Sequence, residues 1–316
     1  MFQSIEIEQF RGFSRLALSD LGRVNLVVGK NNTGKTSLLE AITVLADPAT
    51  MGDLHGLFRT GGGVPDARFY HWLPKHGADV ETVLRVTSPG QKRRRVFVAR
   101  KDRLLSSEGD KLDSFYRGNS LYGWCTAGVL RLRVHAVSVQ HRVPDAMVDA
   151  FAEAVRAPED EQQLESLLGA VDSRIRSVRL DAVAAKPFIV VDVGLRERIP
   201  LSQAGQGIYR LVAIFSELLG RKPDICFIDE IENGIHYTAL PTVWKGIAEV
   251  SERLGIQVFA TTHSRECLVA AHECFAARDS YDFRVIQLYR LGDVADGRTL
   301  DRKHIEAAIA AEIELR

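Results

Sequence analysis

Cysteine is scarce in this sequence. The four present, Cys125, Cys226, Cys267 and Cys274, form no C-x-x-C pair among 316 residues. A disulfide framework is therefore excluded as the basis of the fold, and a reduced, cytoplasmic protein is expected. No apolar run reaches the roughly 18 residues that a membrane-spanning helix needs. The opening Met1-Phe2-Gln3-Ser4-Ile5-Glu6 lacks the basic and apolar regions of a secretion signal. Excess charge is missing too, because 41 Lys and Arg balance 41 Asp and Glu. That balance excludes a globally basic nucleic-acid binder but leaves room for a local patch. There is no internal repeat, no low-complexity linker and no long heptad segment. What remains is 46% apolar and 26% charged residues, enough to bury the core of one large α/β domain or two small ones.

Hydrophobic patterning outlines the elements. Phe2 to Glu8 alternates as a strand, Phe10-Arg11-Gly12-Phe13 reads as a turn, and Leu16 and Leu18 begin a second strand. Val24 to Val28 is a nearly continuous apolar run ending in glycine, as in a buried central strand. Helical spacing follows over Lys35 to Ala46. Residues 50–80 are loop-rich. Val80 to Arg100 reads as a hairpin turning at Ser88-Pro89-Gly90, and 145–180 reads as helical. Phe188 to Val193 returns to strand, and Ile208, Leu211, Val212, Phe215, Leu218 and Leu219 share one helix face. Ile225–Ile228 and Gln257–Thr262 are buried strands separated by a helix at 238–254. That strand–helix–strand order predicts a parallel sheet.

Gly29-Lys30-Asn31-Asn32-Thr33-Gly34-Lys35-Thr36 fits G-x-x-x-x-G-K-[ST] between a strand and a helix. Glycines let the backbone N–H groups of Asn31, Asn32, Thr33 and Gly34 turn inward on phosphate oxygens, at a helix N-terminus that favours anions. Lys35 is expected to neutralise the β- and γ-phosphates, Thr36 to ligate Mg²⁺ and Ser37 to reach the α-phosphate. The strand Ile225–Ile228 runs straight into Asp229-Glu230. A buried parallel strand delivers such residues to the ligand crevice. Asp229 is expected to hold Mg²⁺ through a water, and Glu230 to orient and polarise the attacking water.

The run Asp229-Glu230-Ile231-Glu232-Asn233-Gly234-Ile235-His236 resembles the extended second motif of OLD-like ATPases, relatives of the RecF and SMC heads in the ABC class. Thr261-Thr262-His263-Ser264 resembles their switch histidine motif. Leu201-Ser202-Gln203-Ala204-Gly205-Gln206-Gly207 resembles their degenerate signature, with Gln203-Ala204 where transporter-like heads have glycines. Phe10-Arg11-Gly12-Phe13 resembles their first hairpin. Residues of about 50–180 match nothing specific. The resemblance implies an α/β P-loop fold of ABC type, with a mainly parallel central sheet and N-terminal antiparallel β elements. One head would span 1–316, with 50–180 an inserted hairpin and helical subdomain. It implies two heads sandwiching two ATP molecules, with Ser202, Gly205 and Gly207 capping the partner's γ-phosphate. His263 would contact that phosphate and the water, and Asn233 and His236 would lie at the dimer seam. Gln140 is the candidate glutamine near Mg²⁺, against an ordinary strand end. Arg11 is a candidate phosphate contact, against a structural hairpin arginine.

The expectation is thus an ATP hydrolase that forms a homodimer, or a higher homo-oligomer, around ATP. It would gate DNA or a separately encoded effector, a TOPRIM-like nuclease or a toxin, in bacterial anti-phage defence. No TOPRIM domain of its own is expected. The alternatives are a RecF-like DNA-repair head and a slowly hydrolysing, ATP-gated scaffold that sequesters a toxin or nuclease. Lys92, Arg93, Arg94 and Arg95 form the densest basic run, either a DNA contact or a solvated hairpin. Cys267 and Cys274 read more simply as core thiols than as zinc ligands.

Overall fold

Strands that alternate lie half-buried, and strands that are apolar throughout lie between two layers; both kinds meet in one sheet here. The structure, a computed structural model, describes residues 1–47, 82–88, 95–100, 103–108, 111–114, 132–138, 144–184 and 186–312, with backbone alone for 95–114. Strands β1 (Ser4–Phe10) and β2 (Phe13–Leu18) form an antiparallel hairpin, and β3 (Val24–Val28) leads through the glycine loop into α1 (Lys35–Ala46). Then β4 (Thr82–Thr87) pairs with β1, and β5 (Arg95–Arg100), β6 (Arg103–Glu108) and β7 (Lys111–Ser114) extend that antiparallel half outward. The chain crosses to the far edge as β8 (Val134–Val137) and enters α2 (Pro144–Ala154) and α3 (Pro158–Val171). A small antiparallel sheet follows, from β9 (Ser177–Val183), β10 (Lys186–Asp192) and β11 (Ile199–Pro200). The last third is α4 (Gln206–Ser216), β12 (Ile225–Ile228), α5 (Leu240–Leu254), β13 (Gln257–Thr262), α6 (Arg265–Ala276), the hairpin β14 (Phe283–Leu291) and β15 (Val294–Leu300), and α7 (Arg302–Ala310).

The main sheet has the order β7-β6-β5-β4-β1-β2-β15-β14-β3-β13-β12-β8. Its last five strands are parallel. The expected parallel centre and antiparallel N-terminal part are thus one continuous sheet. The stretch 50–180 contributes strands to both of its edges and helices to one face. Ser88 ends the described part of the first hairpin there. Lys92, Arg93, Arg94 and Gln140 lie outside the described residues, as does the side chain of Arg95.

Both faces of the parallel half are covered. Val24, Leu26, Cys226, Ile228, Val258 and Ala260 point into a core built with α2 to α7; Val27, Ile225, Phe227 and Phe259 point to α1 and the N-terminal strands. Trp244 of α5 is fully buried and donates from Nε1 to the Cys267 carbonyl at 3.2 Å, which spares its polar atom a desolvation cost. Gln257, also fully buried, accepts from the Phe2 amide at 2.7 Å and donates to the Phe2 and Gly22 carbonyls at 2.9 Å each. It fastens the start of the chain to the entry of β13. Cys226 and Cys267 are free and buried, and burial pushes the Cys267 thiol up to about 12.

Asp160 joins three helical elements. It lies at the start of α3, and its buried carboxylate meets Lys222 beyond α4 at 2.8 Å and Arg253 at the end of α5 at 2.5 Å. Burial alone would raise its pKa, but the hydrogen bonds and charges of Lys222 and Arg253 outweigh that and lower it. Asp160→Ala leaves two half-exposed cations that water can reach, so the expected loss is about 1–3 kcal/mol rather than the full cost of an orphaned buried charge. Because the folded pKa is depressed, this contribution is present above the unfolded carboxyl pKa and lost as pH falls through the folded one. Urea unfolding should therefore separate wild type from Asp160→Ala at pH 7. The gap should close progressively below about pH 4.

Candidate nucleotide site

The loop between β3 and α1 can only be built with glycine at both ends. Gly29 has φ +152°, and a Cβ there would lie 2.5 Å from the Leu288 carbonyl oxygen of β14 and 2.7 Å from Thr33 Oγ1. Gly34 has φ +102°, and a Cβ would lie 2.7 Å from the ring of Phe13. Between them Asn32 takes φ +64°, a conformation asparagine tolerates better than most. Thr33 Oγ1 donates to the Lys30 carbonyl at 2.9 Å, and Arg290 of β14 donates to the Asn32 carbonyl at 3.1 Å. The loop is held from the sheet side, while Lys30, Asn31 and Asn32 are exposed.

Lys35 Nζ folds back to donate to the Gly29 and Lys30 carbonyls at 2.7 and 3.0 Å. Burial lowers its pKa, and the charges of Asp229, Glu230 and Glu232 pull it back up. The end of β12 thus faces the loop. Helix α1 begins at Gly34 with no side-chain cap and no acid in its first turn. By contrast, Ser264 caps α6 through the Cys267 amide and Asp301 caps α7 through the His304 amide. An uncapped N-terminus leaves N–H groups and the positive end of the helix dipole open to an anion. Thr36 and Ser37 lie in that first turn.

The turn after β12 is laced to the end of β13. Thr261 Oγ1 donates to Asp229 Oδ1 at 2.7 Å and accepts from the Glu230 amide at 2.8 Å. The Ile231 amide donates to the Thr261 carbonyl at 3.0 Å, and the His263 amide to Glu232 Oε1 at 2.8 Å. Ile231 is fully buried and pins the turn in the core, while Glu230 sits in the left-handed region at φ +45°. Asn233 Nδ2 donates to Glu230 Oε2 at 3.3 Å. The His236 and Tyr237 rings pack at a tilt of 36° with centres 4.5 Å apart, and Tyr237 is 64% exposed.

The segment before α4 comes to the same turn. A Cβ on Gly207 would lie 2.8 Å from the Gly234 carbonyl oxygen, so this segment and the acidic turn touch backbone to backbone. Ser202 and Gly205 are exposed, with open space around Gly205. Helix α4 also starts without a side-chain cap or an acid in its first turn. One turn in, Arg210 is buried against main-chain carbonyls: it donates to that of Asp229, to Ser138 at 3.3 Å and to Val137 at 3.4 Å. Burial lowers its pKa to about 10 against the opposing pull of Asp229, Glu230 and Glu232.

Lys35, Thr36, Asp229, Glu230 and His263 therefore all lie on the segments that follow the carboxyl ends of the adjacent strands β3, β12 and β13. Arg11 has φ +53°, and its buried guanidinium meets the fully buried carboxylate of Glu40 on α1 at 3.1 Å. That pair gives it a structural partner. Sequence reasoning assigned no role to Arg210, Thr261, Glu232 or Arg290. The first had a visible signal, an arginine amid an otherwise apolar helix.

Comparisons with known proteins bear on the fold and the type of domain. Residues 132–268 match the family described as "AAA domain, putative AbiEii toxin, Type IV TA system", and residues 1–82 match "AAA ATPase domain". An "ATP/GTP phosphatase" of Helicobacter pylori is 20% identical over 333 residues, covering 88% of this chain and 90% of that protein. A "DNA replication and repair protein RecF" of Idiomarina loihiensis is 46% identical over 43 residues, 14% of this chain and 12% of that protein. Among solved structures, an SMC head bound to the C-terminal winged-helix domain of ScpA covers 98% of this chain and 99% of its own at TM-score 0.63 and 12% identity. The SMC head of Thermotoga maritima covers 95% and 99% at TM-score 0.55 and 13% identity. The fold is that of an SMC-type ABC ATPase head, and the two matched segments are similar to AAA-type ATPase domains. Among the described residues, no helix is long and apolar enough to cross a membrane.

Thr261→Val keeps the side-chain volume but removes the hydroxyl that serves both Asp229 and Glu230. It should cost about 1–2 kcal/mol in stability, the penalty of a part-buried amide left without its acceptor. It should also slow phosphate release from ATP, and Thr261→Ser should restore both. Thermal melts and a phosphate-release assay on the three proteins check this.

Proposed function

We propose that this protein binds Mg-ATP in the crevice between the Gly29–Thr36 loop and the Asp229-Glu230 turn, and hydrolyses it. The observation that carries the reading is the uncapped N-terminus of α1 set beside Lys35, whose charge faces Asp229, Glu230 and Glu232. Asn31 to Lys35 would hold the β- and γ-phosphates through backbone N–H groups and the lysine ammonium, and Ser37 would reach the α-phosphate. Lys35 would exchange its present carbonyl partners for phosphate oxygens. The hydroxyl of Thr36 and the carboxylate of Asp229 are hard oxygen donors, which suits Mg²⁺. Among the described residues no three His, Cys, Asp or Glu side chains form a metal cage. Phosphate and water would therefore complete its shell. The cation would neutralise charge between the β- and γ-phosphates. Glu230 would take the proton of the attacking water, and His263 would steady the γ-phosphate. Catalysis of this kind is positioning plus electrostatics.

We read the protein as active in a dimer. Helix α4 offers a second uncapped N-terminus, exposed at Ser202 and Gly205, and Tyr237 lies open beside Asn233 and His236. A second head would lay that helix end on the first head's γ-phosphate and cover Tyr237. The Gly207–Gly234 contact would then tell each head whether its neighbour is loaded. The output would lie in a partner; the similar SMC head, solved in complex with a ScpA domain, is a head of this fold that engages one. The toxin and Type IV TA wording of the matched family supports a separately encoded effector in bacterial defence. The short RecF match supports the second reading, DNA held across the closed heads.

Light scattering with and without Mg-ATP, alongside phosphate release, tests the proposal. Wild type should double in mass transiently, Glu230→Gln should stay doubled without releasing phosphate, and Lys35→Ala should do neither. A mass indifferent to nucleotide, with hydrolysis intact, would sink the two-headed reading. Salt-sensitive DNA binding that is lost on neutralising Lys92, Arg93, Arg94 and Arg95 would move the output from an effector to DNA.

A further inference from the structure

The short link between β13 and α6 carries His263, and its backbone is fixed by three side-chain acceptors. The Ser264 amide donates to Thr262 Oγ1 at 3.0 Å, and the Cys267 amide to Ser264 Oγ at 3.0 Å. Both acceptors are local, Thr262 at the end of β13 and Ser264 in the link. The third is not: the His263 amide donates to Glu232 Oε1 at 2.8 Å, across from the turn after β12. The ladder of β13 with β3 ends at the pair Thr262 and Val28. The His263 amide is therefore the first N–H past the last rung, and an acceptor must come from elsewhere. Glu232 is placed to supply it because Ile231 beside it is locked in the core and the Ile235 amide closes the turn on the Glu232 carbonyl at 3.0 Å. Its other carboxylate oxygen is buried without a hydrogen-bond partner among the described residues. A group that serves only to pack would not retain a carboxylate under that penalty.

We infer that Glu232 is a positioning residue for hydrolysis, holding the switch histidine in register with Glu230 through the backbone of His263. Glu230 and Glu232 flank Ile231 on one rigid turn, so one element sets both the water-orienting carboxylate and the position of His263. The inference rests on the proposed roles of Glu230 and His263. Because the bond needs an acceptor and not a charge, Glu232→Gln can keep it and Glu232→Ala cannot.

The experiment measures steady-state ATP hydrolysis and amide hydrogen exchange of the peptide spanning His263, in wild type, Glu232→Ala, Glu232→Gln, His263→Ala and the double variant. Glu232→Ala should lower kcat about 10- to 100-fold while KM stays within about twofold. Glu232→Gln should remain near wild type. The double variant should be no slower than His263→Ala alone, since the two residues act as one unit. Exchange at the His263 peptide should accelerate in Glu232→Ala and not in Glu232→Gln. A wild-type kcat in Glu232→Ala, additive losses in the double variant, or unchanged exchange would each overturn the inference. If His263→Ala slows hydrolysis but Glu232→Ala does not, this inference alone falls. If His263→Ala is without effect while Glu230→Gln is inactive, the switch reading falls and takes the inference with it. If Glu232→Ala is insoluble, Glu232→Asp, one methylene shorter, takes its place with the same expected outcomes.

Discussion

The register of three parallel strands governs the site. Thr262 pairs with Val28 and Ala260 with Ile228, so β3, β13 and β12 run out almost together. The next residues are Gly29, His263 and Asp229. A slip of one residue would turn each strand's side chains to the opposite face. It would also carry the Thr261 hydroxyl away from Asp229. The hydrogen bonds of Thr261 lock that register at the point where the ladder stops, so the acidic turn and the histidine behave as one piece of backbone.

The electrostatics of this end are unusual in where the cations rest. Lys35 and Arg210 are both desolvated, and both donate to main-chain carbonyls rather than directly to carboxylates. Carbonyls at the ends of β8 and β12 converge on Arg210, and three acids lie close enough to keep it charged. On the proposed reading an incoming polyphosphate would recruit Lys35, at the start of α1, whereas Arg210 is enclosed beneath the turn and would stay a strut.

The elements that carry the motifs were legible from sequence. The apolar runs of β3, β12 and β13 and the spacing of α1 are local signals, and the helix and strand bounds 35–46, 225–228 and 257–262 agree with the structure. The chain beyond about 280 carries only a weak sequence signal, although β14 is the neighbour that supports the Gly29–Thr36 loop. Its core residues Phe283, Val285, Ile286 and Leu288 are interrupted by Arg284 and Gln287, which weakens the pattern. Gly292 beside Asp293 at the hairpin turn was the missed signal. Arg11 was undecidable locally, because its partner Glu40 is reached only when α1 packs under the first hairpin. Nothing in the neighbourhood of Arg210 or Glu232 announces partners such as Ser138 and His263, which lie just past β8 and β13, 72 and 31 residues away.

The placement of β3 also bears on how the chain is made. Its two sheet neighbours, β13 and β14, are synthesised more than two hundred residues later. While the ribosome is still translating the middle of the protein, β1, β2 and β4 can already pair. The strand that leads into the phosphate loop then has both edges bare. Such an edge invites pairing with other nascent chains. The central sheet closes only when the C-terminal third arrives, so assembly should be slow and governed by non-local contacts. A truncated product ending before β13 would hold the full Gly29–Thr36 motif and lack the strands that give it its shape.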